Sequence, residues 1–237
     1  MRRRRRRRRF ALPLPRPQLR VPAALLVAAT PFIAASLTGT STPRIQTIER
    51  PGVHYCAVFR WDVKTLTDPS AGQVNSTVVE TTVHDLVHLP FSKTIPTHLP
   101  RASGAPFFPV EVTTYRIQAK LEGWKIAHDD GDIHLVVHDP TTDESMIVEF
   151  PDPKCTGKAT DVQRKEMTDA RHAVEQSCPG EHLTTGFHNL AGNATITGIG
   201  FFDKKHNQTG VALNGIELHP ALSFASSDCK AAPKSAP

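Results

Sequence analysis

The chain has 237 residues, of which 39% are hydrophobic and 22% charged, and its formal net charge is +5. The positive charge is concentrated at the start. Residues 1–36 hold ten of the 28 basic residues and no acidic one, so the remaining 18 basic and 23 acidic residues give about −5. This excludes the basic domain that is typical of nucleic-acid binding, and nucleic acid is not an expected partner.

Residues 1–40 have the three parts of a secretory signal. Eight arginines, Arg2–Arg9, precede a 17-residue apolar run at 21–37, and small residues follow it. This order predicts export to a secreted or cell-envelope location. An uncleaved membrane anchor is the alternative, because the run is at the short end of a spanning helix. Since Pro22 and Pro31 disfavour a regular helix, cleavage is favoured, and membrane contact is expected only through 21–37 if the segment is retained.

The chain after this segment is predicted to form one domain. Residues 41–52 are a linker, residues 53–229 the domain, and residues 230–237 a flexible tail. No later apolar run approaches 18 residues, so a second membrane span is not predicted.

All four cysteines lie in the predicted domain. An even count in an exported protein predicts two disulfides, and four cysteines allow three pairings. We predict Cys155–Cys178, which closes a modest loop around a predicted helix, and Cys56–Cys229, which ties the two ends of the domain together. A zinc site on the cysteines is disfavoured because no CxxC spacing occurs.

The elements before residue 110 are short and separated by irregular chain. Residues 53–63 alternate between apolar and polar side chains, which predicts a half-buried strand. Residues 76–89 fit a strand and a short helix. Residues 90–109 contain five prolines and predict an irregular connection.

From residue 110 onward the pattern is more regular. Three strands, a helix and two further strands are predicted, at 110–126, 132–139, 145–150, 160–177, 194–202 and 215–224. Gly123 interrupts the first strand and predicts a bulge or bend, and Thr160 or Asp161 can cap the helix. The order β-β-β-α-β-β is that of an OB-fold, a five-stranded Greek-key barrel. The predicted fold is therefore mainly β and OB-fold-like, with 53–63 as an extra strand. A β-sandwich stays open, because element order does not establish barrel closure.

Four segments carry a resemblance to a known group of proteins: HYCAVFRWDVKTLTD, DGDIHLVVHDP, MIVEFPDPKC and TGIGFFDKKHNQTGVALNGIELHP. Over nearly all of residues 53–224 the chain resembles secreted bacterial proteins of actinobacterial type that have no assigned function. The resemblance implies export and an OB-fold-like domain. It implies no ligand, cofactor or mechanism.

Strand parity places histidines and carboxylates on one outer side of the predicted barrel. The inward residues of the second strand are apolar, so its polar residues, Asp132 among them, point outward. The third and fifth strands add polar residues to the same side. The predicted outer patch consists of His134, His138, Glu149, Glu217 and His219, and His206 lies in the loop at 203–210 that flanks it. OB-folds bind ligands at such a face, so these six are the candidate binding residues.

Part of this patch also has the chemistry of a metal site. Imidazole and carboxylate groups hold Zn²⁺ or a similar divalent ion. The candidate ligands are His134, Glu149, Glu217 and His219. The alternative is an ordinary solvated sheet face.

No motif in the sequence names a reaction, because HExxH, GxSxG and GxxxxGK[ST] are all absent. We therefore predict an exported binding module that holds an oligosaccharide, a peptide or an envelope component on its barrel face. No catalytic residue is predicted. A metal-dependent hydrolase of phosphodiesterase or nuclease type, in which the ion activates water, is the first alternative. A structural envelope protein is the second.

Overall fold

The structure is a computed structural model of the chain. It describes residues 56, 59–91, 93–178 and 183–233. The predicted targeting segment 1–40 and the linker 41–52 lie outside the described residues. No helix among the described residues has the length and apolar character needed to cross a bilayer.

Strands dominate the described residues. They are β1 (Asn75–Glu80), β2 (Thr113–Ile126), β3 (Ile133–His138), β4 (Ser145–Phe150), β5 (His188–Ala191), β6 (Asn193–Phe202), β7 (Ile216–Ala225) and β8 (Lys230–Ala231). The helices are α1 (Trp61–Lys64), α2 (Val83–Val87), α3 (Phe107–Val110) and α4 (Asp161–Ser177), with 3-10 turns at Ala71–Gln73 and Pro153–Cys155.

Five of the strands close into a barrel. Going round it, the order is β2, β3, β4, β7 and β6, and β2 pairs with both β3 and β6. All neighbours are antiparallel except β4 and β7, which are parallel. This closed barrel of three strands, a helix and two strands confirms the OB-fold-like prediction.

The long strand β2 bends where the sequence predicted it. Its pairing with β3 shifts register between Leu121 and Gly123. A Cβ on Gly123 would lie 2.5 Å from the ring of Phe187 and 2.7 Å from the carbonyl oxygen of His188, so only glycine lets the chain before β5 approach this closely. The bend lets one strand belong to both halves of the barrel.

Helix α4 packs against the barrel beside β7 and β4. Its buried residues include Met167, Ala170 and Val174, which supply the apolar stripe. Thr160 caps the helix: its hydroxyl accepts the backbone N–H of Gln163, and the Gln163 side chain accepts the backbone N–H of Thr160. This reciprocal pair satisfies two N–H groups that a helix start leaves free.

Thr160→Ala is expected to lower the free energy of unfolding by about 1 kcal/mol, because it removes the capping hydroxyl. Urea denaturation measures the difference. The matched control is Thr185→Ala, which changes an exposed threonine outside the helices and should stay within about 0.5 kcal/mol of the wild type. Equal loss in both variants would contradict the role of the cap.

The number of disulfides is as predicted, but both predicted pairings are wrong. The bonds join Cys56 to Cys155 and Cys178 to Cys229, with Cα atoms 5.2 and 5.0 Å apart. Cys155 lies before α4 and Cys178 at its end. The helix between them is about 25 Å long, and residues 156–160 contain a turn, in which the Ala159 N–H donates to the Thr156 carbonyl oxygen at 2.9 Å, instead of running back along the helix. Two disulfides indicate an oxidising, extracytoplasmic environment.

The predicted strand 53–63 is wrong at its described end. Trp61–Lys64 is a helical turn, and Arg60 before it has a left-handed φ of 51°, which interrupts an extended chain. Residues 53–55, 57 and 58 lie outside the described residues.

Strands β5 and β8 were not predicted. They pair with each other and are too short to show a periodic pattern of apolar residues. β8 lies within the predicted tail, of which residues 234–237 are not described.

Candidate functional site

The outer face of β3, β4 and β7 is buried, whereas the sequence predicted that it faces solvent. The loop between β6 and β7 folds across it. The ring of His134 donates from Nε2 to the carbonyl oxygen of Thr209 at 3.0 Å, and Gly210 lies so close to Val136 that a Cβ there would be 2.3 Å from its Cγ1. This loop closes one side of the face.

The segment that contains α1 closes the other side. Lys64 donates from Nζ to Asp203 at 3.0 Å and lies 5.5 Å from the centre of the Phe201 ring. The Phe201 ring in turn meets the ring of His219, with centres 5.7 Å apart. Lys64 is therefore a positive charge held directly beside the polar residues of this face.

Two buried ion pairs anchor this segment. Arg60 donates from both terminal nitrogens to the Glu111 carboxylate, at 2.8 and 2.7 Å. Arg101 donates to Asp68 at 2.9 Å. All four side chains are at most 2% exposed. We call the loop between β6 and β7 and the segment that contains α1 the cover. Because breaking a buried ion pair leaves an uncompensated charge, these contacts hold the cover firmly on the barrel.

Beneath the cover, three carboxylates surround one imidazole. Nδ1 of His219 is 3.1 Å from Glu149 Oε2 and 3.8 Å from Glu217 Oε2. Nε2 of His219 is 3.2 Å from Asp132 Oδ2. We call these four residues the His219 cluster. Each is at most 6% exposed.

The His219 cluster contains polar atoms that no hydrogen bond satisfies. Asp132 Oδ2, Glu217 Oε2 and both ring nitrogens of His219 are buried and have no hydrogen-bond partner among the described residues. The distances within the cluster are short, but the directions are not those of hydrogen bonds. Buried polar atoms are normally satisfied by a partner, an ordered water or an ion, so this group of four calls for one of these.

His134 belongs to the neighbourhood of the cluster but is not available as a ligand. Its Nδ1 donates to Glu149 Oε1 at 3.0 Å, and its Nε2 donates to the Thr209 carbonyl oxygen. Both acceptors lack a proton, so both ring nitrogens carry one and neither has a lone pair to offer. Although burial opposes the change, these two hydrogen bonds raise the pKa of His134. His134 therefore positions Glu149.

Burial raises the pKa values of three carboxyl groups in and beside the His219 cluster. Burial, together with Asp203 and Glu149, raises the pKa of Glu217 to about 7. Burial, with Asp132 and Glu149 nearby, likewise raises the pKa of Asp130 to about 7. Burial also raises the pKa of Asp132.

The pKa values of Glu149 and His219 shift in the direction that favours the charged form of each side chain. Burial works against ionisation of Glu149, but the hydrogen bond from His134 and the nearby positive charges of His219 and Lys64 hold the pKa of Glu149 well below its usual value. Burial and Lys64 work against protonation of His219, but the surrounding carboxylates raise the pKa of His219 well above its usual value. Glu149 is therefore the fixed negative charge of the cluster.

The structure brings together three of the four predicted metal ligands and adds one. Glu149, Glu217 and His219 converge, and Asp132 takes the place of His134. Asp132 lies two residues before His134 on the same face, so strand parity could have found it. Lys64, Asp130 and Asp203 come from a helix and loops, where no periodic signal places a side chain.

The other two candidate binding residues lie elsewhere. His138 contacts Glu122, with Nε2 2.5 Å from Oε2, and is partly exposed. His206 is exposed in the loop between β6 and β7, where its backbone N–H donates to the side chain of Gln208. No protein-family model, curated protein or solved structure matches the chain.

Proposed function

We propose that this protein is an exported OB-fold-like module that binds a divalent metal ion in the His219 cluster. The observation that carries the proposal is the convergence of four buried polar atoms without hydrogen-bond partners. One ligand atom from each of Asp132, Glu149 and His219 lies within 4.8 Å of the others, so small side-chain movements bring all three onto a single ion.

The balance of charge supports an ion at this position. The carboxyl groups in and beside the cluster are Asp130, Asp132, Glu149, Asp203 and Glu217. Lys64 pairs with Asp203, and His134 pairs with Glu149. The three remaining carboxyl groups, those of Asp130, Asp132 and Glu217, then have only His219 to balance their charge. Buried carboxylates of this number need protons or a cation, and a divalent ion supplies the missing charge without requiring acidic conditions.

The ligand set narrows the choice of ion. Three carboxylates and one imidazole suit Zn²⁺ or Mn²⁺, whereas a soft ion such as Cu(I) prefers sulfur ligands. His134 would act from outside the coordination sphere, because its hydrogen bond to Glu149 fixes the orientation of that carboxylate.

The burial of the cluster favours retention of an ion over turnover of a substrate. His219 and Asp132 are fully buried, and the cover above them is anchored by ion pairs. An ion or a water molecule can reach such a site through small fluctuations, whereas an oligosaccharide or a phosphodiester needs an open face. The proposed ion therefore joins the cover to the barrel and stabilises the folded protein.

The experiment compares two Glu-to-Gln variants by elemental analysis and by titration with Zn²⁺ and Mn²⁺. Glu217→Gln removes a proposed ligand and is expected to hold one ion fewer per chain than the wild type, or to bind it at least about tenfold more weakly. Glu166→Gln, on the exposed side of α4, is the matched control and should bind as the wild type does. Equal ion content in the wild type and both variants would overturn the proposal.

A further inference from the structure

A second group of metal-binding side chains lies on the surface, between α2 and the loop that connects β3 to β4. His84 and His88 are one helical turn apart, with ring centres separated by 4.4 Å. Glu144 reaches them from the loop: its Oε2 is 2.6 Å from His84 Nδ1, and its Oε1 is 3.4 Å from His88 Nε2. One ligand atom from each residue lies within 4.8 Å of the others.

Hydrogen bonds orient these side chains for binding. Nδ1 of His88 donates to the carbonyl oxygen of His84 at 2.8 Å, which leaves the lone pair of His88 on Nε2, the nitrogen that faces Glu144. The hydroxyl of Thr142 donates to Oε2 of Glu144 at 2.8 Å. Histidine and carboxylate ligands of metal ions are commonly fixed by partners of this kind.

The two elements that carry the group are also tied to each other. Asp139 accepts the backbone N–H of His84 at 3.1 Å with one carboxylate oxygen. With the other it accepts the backbone N–H groups of Thr141 and Thr142, at 2.9 and 3.2 Å. Asp139 therefore holds the start of α2 against the loop that carries Glu144, so little ordering is left for an ion to impose.

We propose that His84, His88 and Glu144 form a second, solvent-accessible site for Zn²⁺, separate from the His219 cluster. Two imidazoles and one carboxylate are a ligand set that binds zinc with one position open to water. Zinc ligands about 2.0 Å from the ion lie about 3.3 Å apart in a tetrahedron, which matches the 3.4 Å between His88 and Glu144, whereas the 2.6 Å between His84 and Glu144 widens when the ion enters. The ion takes the place of the proton between His84 and Glu144, and that proton is released to solvent.

The accessibility of the group sets it apart from the buried cluster. The side chains of His84, His88 and Glu144 are 49%, 58% and 32% exposed, so Zn²⁺ in solution reaches them without any opening of the fold. The site does not depend on the function proposed above. An external chelator should remove this ion rapidly, and the open position can accept a water molecule or an anionic group.

Calorimetric titration of untagged protein with Zn²⁺ tests the site, in the Glu217→Gln background, in which the His219 cluster is expected to bind at least about tenfold more weakly than in the wild type. One Zn²⁺ per chain is expected. His84→Ala and His88→Ala should each weaken binding at least about tenfold. His172→Ala, which removes an exposed histidine on α4, is the control and should leave the affinity unchanged.

Thermal unfolding in a chelator confirms that the variants fold, and the exposed positions predict melting temperatures close to that of the parent protein. Absence of Zn²⁺ binding by the Glu217→Gln protein would overturn the proposal. So would an affinity that His84→Ala and His88→Ala leave unchanged.

Discussion

Glu217→Gln is expected to be more stable than the wild type when metal is removed and less stable when Zn²⁺ or Mn²⁺ is present. In the metal-free protein at pH 8, Glu217 is ionised although burial raises the pKa of its carboxyl to about 7. A shift of that size from the ordinary value corresponds to about 3 kcal/mol. Glutamine has a similar shape and no charge, so the variant should unfold with a free energy about 3 kcal/mol higher in a chelator.

Adding the ion should reverse this order. The wild type gains about 4.1 kcal/mol when the free ion is at about 1,000 times its dissociation constant, which exceeds the difference of about 3 kcal/mol, whereas the variant has lost a ligand and gains little from this site. Urea denaturation at pH 8 in a chelator and in excess Mn²⁺ measures both effects. Asp132→Asn removes a different ligand and should also lose the gain. The prediction fails if Glu217→Gln is less stable than the wild type in the chelator, or if the ion stabilises both proteins equally.

The metal-free protein is expected to lose stability as the pH rises from about 5 to above 7. Glu217 and Asp130 have pKa values of about 7 in the folded protein, well above their unfolded values. At a pH between the unfolded and the folded pKa values of these two groups, the folded state binds more protons than the unfolded state. Raising the pH therefore removes stability, by at least about 3 kcal/mol over this interval.

Three neighbouring ionisable groups also change how stability depends on pH. The raised pKa values of His134 and His219 extend the loss above pH 6.5, because the folded state keeps their protons longer. The low pKa of Glu149 acts only in acid, where stability falls as the pH drops below the unfolded value. Maximum stability is therefore expected near pH 5, between these two effects.

Denaturation of the chelated protein at a series of pH values checks this prediction. The slope between pH 5 and pH 8 should become shallower in Glu217→Gln and stay unchanged in Glu166→Gln. Ion binding should show the opposite trend and strengthen as the pH rises through 7, because the ligands must release their protons. Stability that rises from pH 5 to pH 8 in the chelator would contradict these charge states.

Local signals in the sequence predicted most of the barrel. Alternation identified the barrel strands, Gly123 located the bend of β2, and Thr160 marked the start of α4. Each of these features depends on residues close together in the chain. Barrel closure did not follow from the order of the elements, which also fits a β-sandwich, because it depends on the pairing of β2 with both β3 and β6.

The disulfide pairing and the cover could not be predicted in the same way. Loop length favoured Cys155–Cys178, but α4 is about 25 Å long and residues 156–160 turn instead of running back along it, which the predicted helix alone does not determine. The cover depends on contacts between residues distant in sequence, such as Arg60 with Glu111 and Lys64 with Asp203. Strand parity identifies the face to which His134, Glu149 and His219 belong, but it does not show whether another segment lies over that face.

Anomalous X-ray diffraction at the zinc and manganese absorption edges tests the proposed metal centre most directly. Crystals of protein equilibrated with Zn²⁺ or Mn²⁺ near pH 8 should show a peak among Asp132, Glu149, Glu217 and His219, within about 2.0–2.3 Å of their ligand atoms. A water molecule at that position would contradict the proposal. So would direct hydrogen bonds from His219 to Asp132 and Glu149 with no anomalous peak, because protons would then supply the charge assigned to the ion.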